Sequence, residues 1–213
     1  MKKFIFVLFA FQLSISFSYG TKNDTIFTRY SNGEFYTFCQ IKQPYSDSIT
    51  QLVVNRFVNE MCYDIRGLFE WGLKGMSLSN QADELLYFDF KATRFNKHTG
   101  VLVGIGDVVV PGITTFKNIE IETKLNIQTF QSGVSTVKLD LAAPNLFIRN
   151  LNGMFVFVPR KNNQNGYIQL ITKVRFAWFF DIFVTQSRYK KIMEWRIRRV
   201  LLNIREESGK IRN

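Results

Sequence analysis

Residues 119–128 run Ile, Glu, Ile, Glu, Thr, Lys, Leu, Asn, Ile, Gln, so an extended backbone gives them one apolar face and one wet face. Wound as a helix, the same residues scatter their apolar groups around the axis and leave no stripe to bury. The chain must therefore contain an antiparallel sheet with a solvated side. The period of two begins at residue 84, where Leu86, Phe88, Phe90 and Ala92 alternate with Tyr87, Asp89, Lys91 and Thr93. It resumes over residues 101–110 and at Val137, Leu139 and Leu141. Residues 154–158 and 167–178 flank the loop 160–166, which reads as a hairpin. A first strand is expected over residues 34–42, ended by Pro44. Residues 21–32 ahead of it are polar and read as loose.

The period differs over residues 46–71. Ser46 or Asp47 supplies a cap, and Ile49, Leu52 and Val53 share one stripe. Met61, Ile65, Leu68 and Phe69 share another, turned from the first by roughly 150° at 100° per residue. One straight helix cannot hold both stripes on one core, so two helices with a break at residues 55–59 are expected. A last helix spans residues 187–207, with Tyr189, Met193, Ile197, Val200 and Ile204 within about 80° of one another as its gripping stripe. The element order predicts an α+β domain. A curved antiparallel sheet of about seven strands grips a long C-terminal helix, with two short helices after the first strand.

Lys2 and Lys3 precede an apolar stretch over residues 4–17, and Ser18-Tyr19-Gly20 offers small residues where a signal peptidase reads. Residues 1–20 are therefore expected to be a signal peptide, and 21–213 a single domain, exported to a bacterial periplasm or secreted. The 213 residues carry 28 Lys and Arg against 17 Asp and Glu, a net charge of +11. Export disfavours nucleic acid as the partner, and the aromatic residues alternate inward without a basic stacking platform. An anionic membrane surface suits the charge better, with solubility as the plainer account.

Candidate chemistry is sparse. One His and two Cys are too few for a zinc cage, and no cofactor is expected. Gly104-Ile105-Gly106 lacks the third glycine and the helix of a dinucleotide loop, and reads as a bulge or a close backbone approach. His98, the sole imidazole, lies in a polar turn between strands, a solvated position rather than a catalytic one. Asp181, inside an aromatic run, is either an acid of raised pKa at a cavity mouth or an exposed edge residue. Cys39 and Cys62 are either a disulfide of an exported protein or two buried thiols. No catalytic residue emerges.

In its element order the chain resembles the START-like or SRPBCC superfamily, the helix-grip fold of lipid-transfer and polyketide-cyclase-type proteins. The resemblance rests on the strand ending at Gln43-Pro44, two helices, the meander, the segment Asn150-Leu151-Asn152-Gly153-Met154-Phe155-Val156-Phe157, Tyr167-Ile168-Gln169-Leu170 and the long helix. It implies an apolar cavity between sheet and C-terminal helix that takes a hydrophobic small molecule or lipid. Cyclase-like members use polar groups there, and no residue here matches one. A filled core is the alternative, and the protein is then an envelope scaffold or protein-interaction module without ligand. A cyclase-like or hydrolytic enzyme is the third reading. Phe88, Phe90, Leu125, Phe157, Leu170 and Ile197 occupy the apolar phase of their elements and are expected to face the shared interior. On the outer side of the last helix, Trp195 and Leu202 amid Lys191, Arg198 and Arg199 form a candidate membrane or partner surface.

Overall fold

The structure, a computed structural model, describes residues 24–75, 87–110, 114–162, 164–178 and 184–211. Among the described residues eight strands form one antiparallel sheet: β1 (Thr25–Ser31), β2 (Glu34–Gln43), β3 (Tyr87–Asn96), β4 (Val101–Val110), β5 (Thr114–Thr129), β6 (Ser135–Leu141), β7 (Ile148–Val158) and β8 (Gly166–Phe176). Their spatial order is β1-β2-β8-β7-β6-β5-β4-β3. The helices are α1 (Asp47–Tyr63), α2 (Ile65–Glu70) and α3 (Gln186–Lys210). The arrangement is the expected α+β grip of a curved sheet on a long C-terminal helix.

Two local expectations are corrected. The segment expected to be loose supplies β1, which pairs with β2 from Thr25↔Gln40 to Ser31↔Glu34. The two residues between these strands, Asn32 and Gly33, both have positive φ, 52° and 77°. That is the backbone of a two-residue hairpin turn whose twist matches the flanking strands, and Asn-Gly is the pair that adopts it most readily. The helix break also moves. α1 runs unbroken through residues 55–59 and ends at Asp64, whose φ of −145° and ψ of 68° are not helical. There the Asp64 backbone N–H closes α1 on the Glu60 carbonyl, while its carboxylate accepts from Gly67 N at 3.0 Å and caps α2. The inner stripe of α1 is Thr50, Val53, Val54, Phe57 and Met61, and Leu52 is 55% exposed. Two helices are present as expected, but Met61 lies on the inner stripe of α1 itself, so the rotation arose from counting Leu52 and not from the break.

α3 buries Tyr189, Ile197, Val200 and Ile204 as expected, with Met193 half-buried among them. It lies over β1, β2 and β8, while α1 and α2 reach across to β3. Alternation in β2 turns Phe35, Thr37, Cys39, Ile41 and Gln43 inward, and in register with them β8 turns Ile168, Leu170 and Val174. The main core joins these strands to α1, α2 and the C-terminal half of α3. Each fully buried aliphatic group there contributes about 1.5–3 kcal/mol. A second, smaller cluster forms at the other end of the groove from Val108, Val110 and Phe147.

β3 and β4 bend where their register shifts, between Phe90 and Ala92 and between Gly106 and Val108. A Cβ at Gly106 would lie 2.3 Å from the Asp89 carbonyl oxygen, so only glycine fits that crossing. The Gly104–Gly106 segment is therefore the bulge and close approach that its sequence suggested.

Candidate functional site: an apolar cavity beneath the first turns of the C-terminal helix

The groove is filled at one end and hollow at the other. Under the N-terminal half of α3 lies a half-open cavity of about 170 Å³. The sheet supplies Phe88 from β3, Val108 from β4, Ile121 from β5, Ile148 from β7 and Phe176 from β8, with Phe147 from the turn before β7. α3 supplies Tyr189, Ile192 and Met193, with Arg188 and Arg196 at the polar margin. The lining is thus almost wholly hydrocarbon and aromatic carbon.

Local sequence explains how these groups converge. Asn145 accepts from the backbone N–H of both Phe147 and Ile148 at 2.8 Å, and its own N–H reaches the Ile148 carbonyl. This Asn-centred turn fixes Phe147 inward, its ring edge-on to Phe116 at 5.2 Å. On the other wall, Tyr189 stacks on Phe35 at 3.9 Å between ring centres and meets Phe176 edge-on at 5.8 Å. Burial pushes the Tyr189 phenol well above its ordinary value, with Thr37 beside it acting weakly in the opposite sense. It stays a neutral hydroxyl at any physiological pH.

Of the six residues expected to share the interior, Phe88 lines the cavity. Phe90 stands beside Phe88, ring centres 4.5 Å apart, and is 39% exposed. Phe157, Leu170 and Ile197 meet in the main core, with Leu125 half-buried against it. Apolar phase carried no information about which end of the groove each residue occupies, and it did not separate the exposed Phe90 from the buried residues. Sequence reading missed Val108, Ile121, Phe147, Ile148 and Phe176. Their signal was present: Ile121 belongs to the alternation over residues 119–128, and Phe147-Ile148 is an apolar pair at the N-terminal end of β7.

On the outer surface of α3, Lys191 and Arg198 are exposed and Trp195 is 44% exposed. Arg199 is half-buried with its guanidinium near Gly75, and Leu202 packs against the main core. The five residues thus divide between solvent and interior.

His98 is exposed in the β3–β4 turn, where its backbone N–H donates to Asn96 Oδ1 at 2.9 Å. Glu120 and Glu122 are exposed on β5, and Glu120 pairs with Arg94 at 2.6 Å. Asp181 and residues 1–20, the expected signal peptide, lie outside the described residues. Cys39 and Cys62 are both buried free thiols. Burial pushes Cys39 up to about 12, Arg198 opposing, and Cys62 up to about 11. Among the described residues no group of three or more His, Cys, Asp or Glu lies together, and no helix is long and apolar enough to cross a membrane.

At the level of sequence no family model matches the chain, nor does any curated protein. The fold does have counterparts. A STAR-related lipid transfer protein from Xanthomonas axonopodis superposes with a TM-score of 0.53 at 11% identity, over 89% of this chain and 96% of that one. The human StarD13 lipid transfer and protein localization domain superposes with a TM-score of 0.50 at 11% identity, over 86% of this chain and 85% of the domain. The architecture is START-like.

Proposed function

We propose that this protein is an exported, non-catalytic binder of a hydrophobic, lipid-like molecule, working at a membrane surface. The observation that carries this reading is the apolar cavity under α3, formed where a START-like fold leaves the angle between its C-terminal helix and the sheet unfilled. A cavity near 150 Å³ lined by aliphatic and aromatic groups stays dry and takes a benzene-sized body, whereas drug-sized ligands occupy roughly 300–1,000 Å³. At about 170 Å³, the space accommodates one ring or the end of an acyl chain. The rest of a longer ligand would emerge through the open side. Export rests on the leader pattern of residues 1–20, and the non-catalytic role on the exposed position of the only His.

The test is uptake of a hydrophobic fluorescent probe by the purified mature chain, with native mass spectrometry of lipid extracted from it. Saturable uptake that disappears in Ile121→Trp, while the far-ultraviolet spectrum and melting temperature hold, supports the reading. No uptake and no co-purifying lipid would instead favour the scaffold with a filled interior.

A further inference from the structure

The rim of the cavity carries an apolar tip within a basic field, and we propose that this rim, rather than the outer face of α3, docks onto anionic lipid bilayers. The inference rests on the carrier reading for its purpose and on separate residues for its physics.

Among the described residues, Leu146 and Trp178 are the most exposed of the large apolar side chains, at 67% and 70%. They are far apart in sequence but come together at the end of one ladder. β7 pairs with β8 at Ile148↔Phe176, and one residue further the Ala177 N–H donates to the Phe147 carbonyl at 2.9 Å. The next position outward on each chain is Leu146 and Trp178. Ile148, Phe176 and Phe147 line the cavity, so the exposed pair continues its wall outward into solvent. Such a tip is what an interfacial anchor requires: a tryptophan for the headgroup boundary, an aliphatic group beside it, and an apolar path behind them.

The charge around the tip selects the kind of surface. Arg149 follows Ile148, Arg175 precedes Phe176 and donates to the Asn32 carbonyl at 2.8 Å, and Arg188 borders the cavity on the first turn of α3. All three are exposed. Glu34 stands on the same end of the sheet, with its carboxylate accepting from Asn150 Nδ2 at 2.9 Å. The balance is cationic, in keeping with the net charge of +11, and cations attract phosphate headgroups over about a Debye length. On the other candidate surface, Leu202 is turned into the core, leaving Trp195 without a second exposed apolar partner.

The test is co-sedimentation of the mature protein with phosphatidylcholine vesicles containing or lacking phosphatidylglycerol, with probe uptake measured on the same samples. Binding is expected only to the anionic vesicles and should weaken as salt rises. It should fall at least tenfold in Leu146→Ser/Trp178→Ser and in Arg149→Glu/Arg188→Glu, and remain within twofold of the parent in Trp195→Ala. All variants are checked for unchanged melting. Undiminished binding in the rim variants, loss confined to Trp195→Ala, or no binding to either vesicle overturns the docking proposal. If probe uptake persists in that event, the carrier reading survives alone. Rim-dependent vesicle binding without probe uptake sustains docking and removes the carrier reading.

Discussion

Arg56 on α1 donates through Nη1 to Glu207 Oε1 on α3, joining two helices 151 positions apart in the chain. The same guanidinium donates to Glu60 at 2.7 Å and lies 4.9 Å from the Trp71 ring centre. Lys210 meets Glu207 from the other side at 2.8 Å. One half-exposed arginine therefore ties α1, the end of α2 and α3 together over the main core.

This arrangement makes the helix clamp sensitive to acid. Burial raises the pKa of Glu207, but hydrogen bonds from Lys210 and Arg56 outweigh it and hold the carboxyl below its ordinary 4.5. The folded state thus binds the proton less readily than the unfolded state. Its stabilisation is full above pH 4.5 and is lost as pH falls through the lower folded-state value. Chemical denaturation at pH 7 and pH 3 should show this loss, and Arg56→Ala should lessen the pH dependence. At pH 7 Arg56→Ala should cost about 1–3 kcal/mol, the penalty for removing a partner from a mostly buried carboxylate. A cycle with Glu207→Gln that shows no coupling would refute the clamp.

The thiols give a second measurement. Cys39 is 1% exposed and Cys62 2%, and burial holds both thiols protonated, at about 12 and about 11. A thiolate is the reactive form, so an aromatic disulfide reagent at pH 8 should label neither residue in the folded protein. Both should react promptly in denaturant without a reductant. Recovery of no thiols after denaturation would mean that the two are joined.

Folding of the added edge strand depends on the β1–β2 turn. Gly33 has a φ of 77°, and a Cβ there would sit 3.2 Å from Arg175 Nη2. Gly33→Ala should lower stability by about 1–2 kcal/mol through left-handed strain, and Gly33→Val by more. Asn32→Gly should be nearly silent because glycine accepts the same backbone. Thermal melts of the three variants read this directly. Equal effects of Gly33→Ala and Asn32→Gly would exclude the strain mechanism.

That turn also marks the limits of what could be read from residues alone. The sheet was legible because alternation at Ile119, Ile121, Leu125 and Ile127 is a backbone property, independent of partners. The grip of α3 was legible for the same reason, since Tyr189, Ile197, Val200 and Ile204 form one stripe. β1 was missed because its polar composition outweighed the Asn32-Gly33 signal. The cavity was only half legible. Phe88 and Phe157 have the same phase, and only the bulges of β3 and β4 and the lean of α3 toward β1, β2 and β8 decide that one faces space and the other core. Tertiary curvature of that kind leaves no periodic trace.

Asn203 offers the sharpest test of how the loop after α2 is held. Its Nδ2 donates to the carbonyls of Gly72 at 3.2 Å and Lys74 at 2.9 Å, and the residue is 4% exposed. Asn203→Leu removes the donor and should cost about 1–3 kcal/mol, since the buried Gly72 carbonyl and the part-buried Lys74 carbonyl lose a partner. Asn203→Asp keeps the shape but at pH 7 places an anion against two carbonyl oxygens, at an expected cost of about 3 kcal/mol or more. Its pKa should be raised in the folded state, so the damage should ease as pH falls through that raised value, opposite in sign to Glu207. Denaturation of the Asp variant across pH 7 to 4 reads the difference. A variant as stable as Asn203→Leu at pH 7, with no recovery on acidification, would show that the side chain does not face those carbonyls.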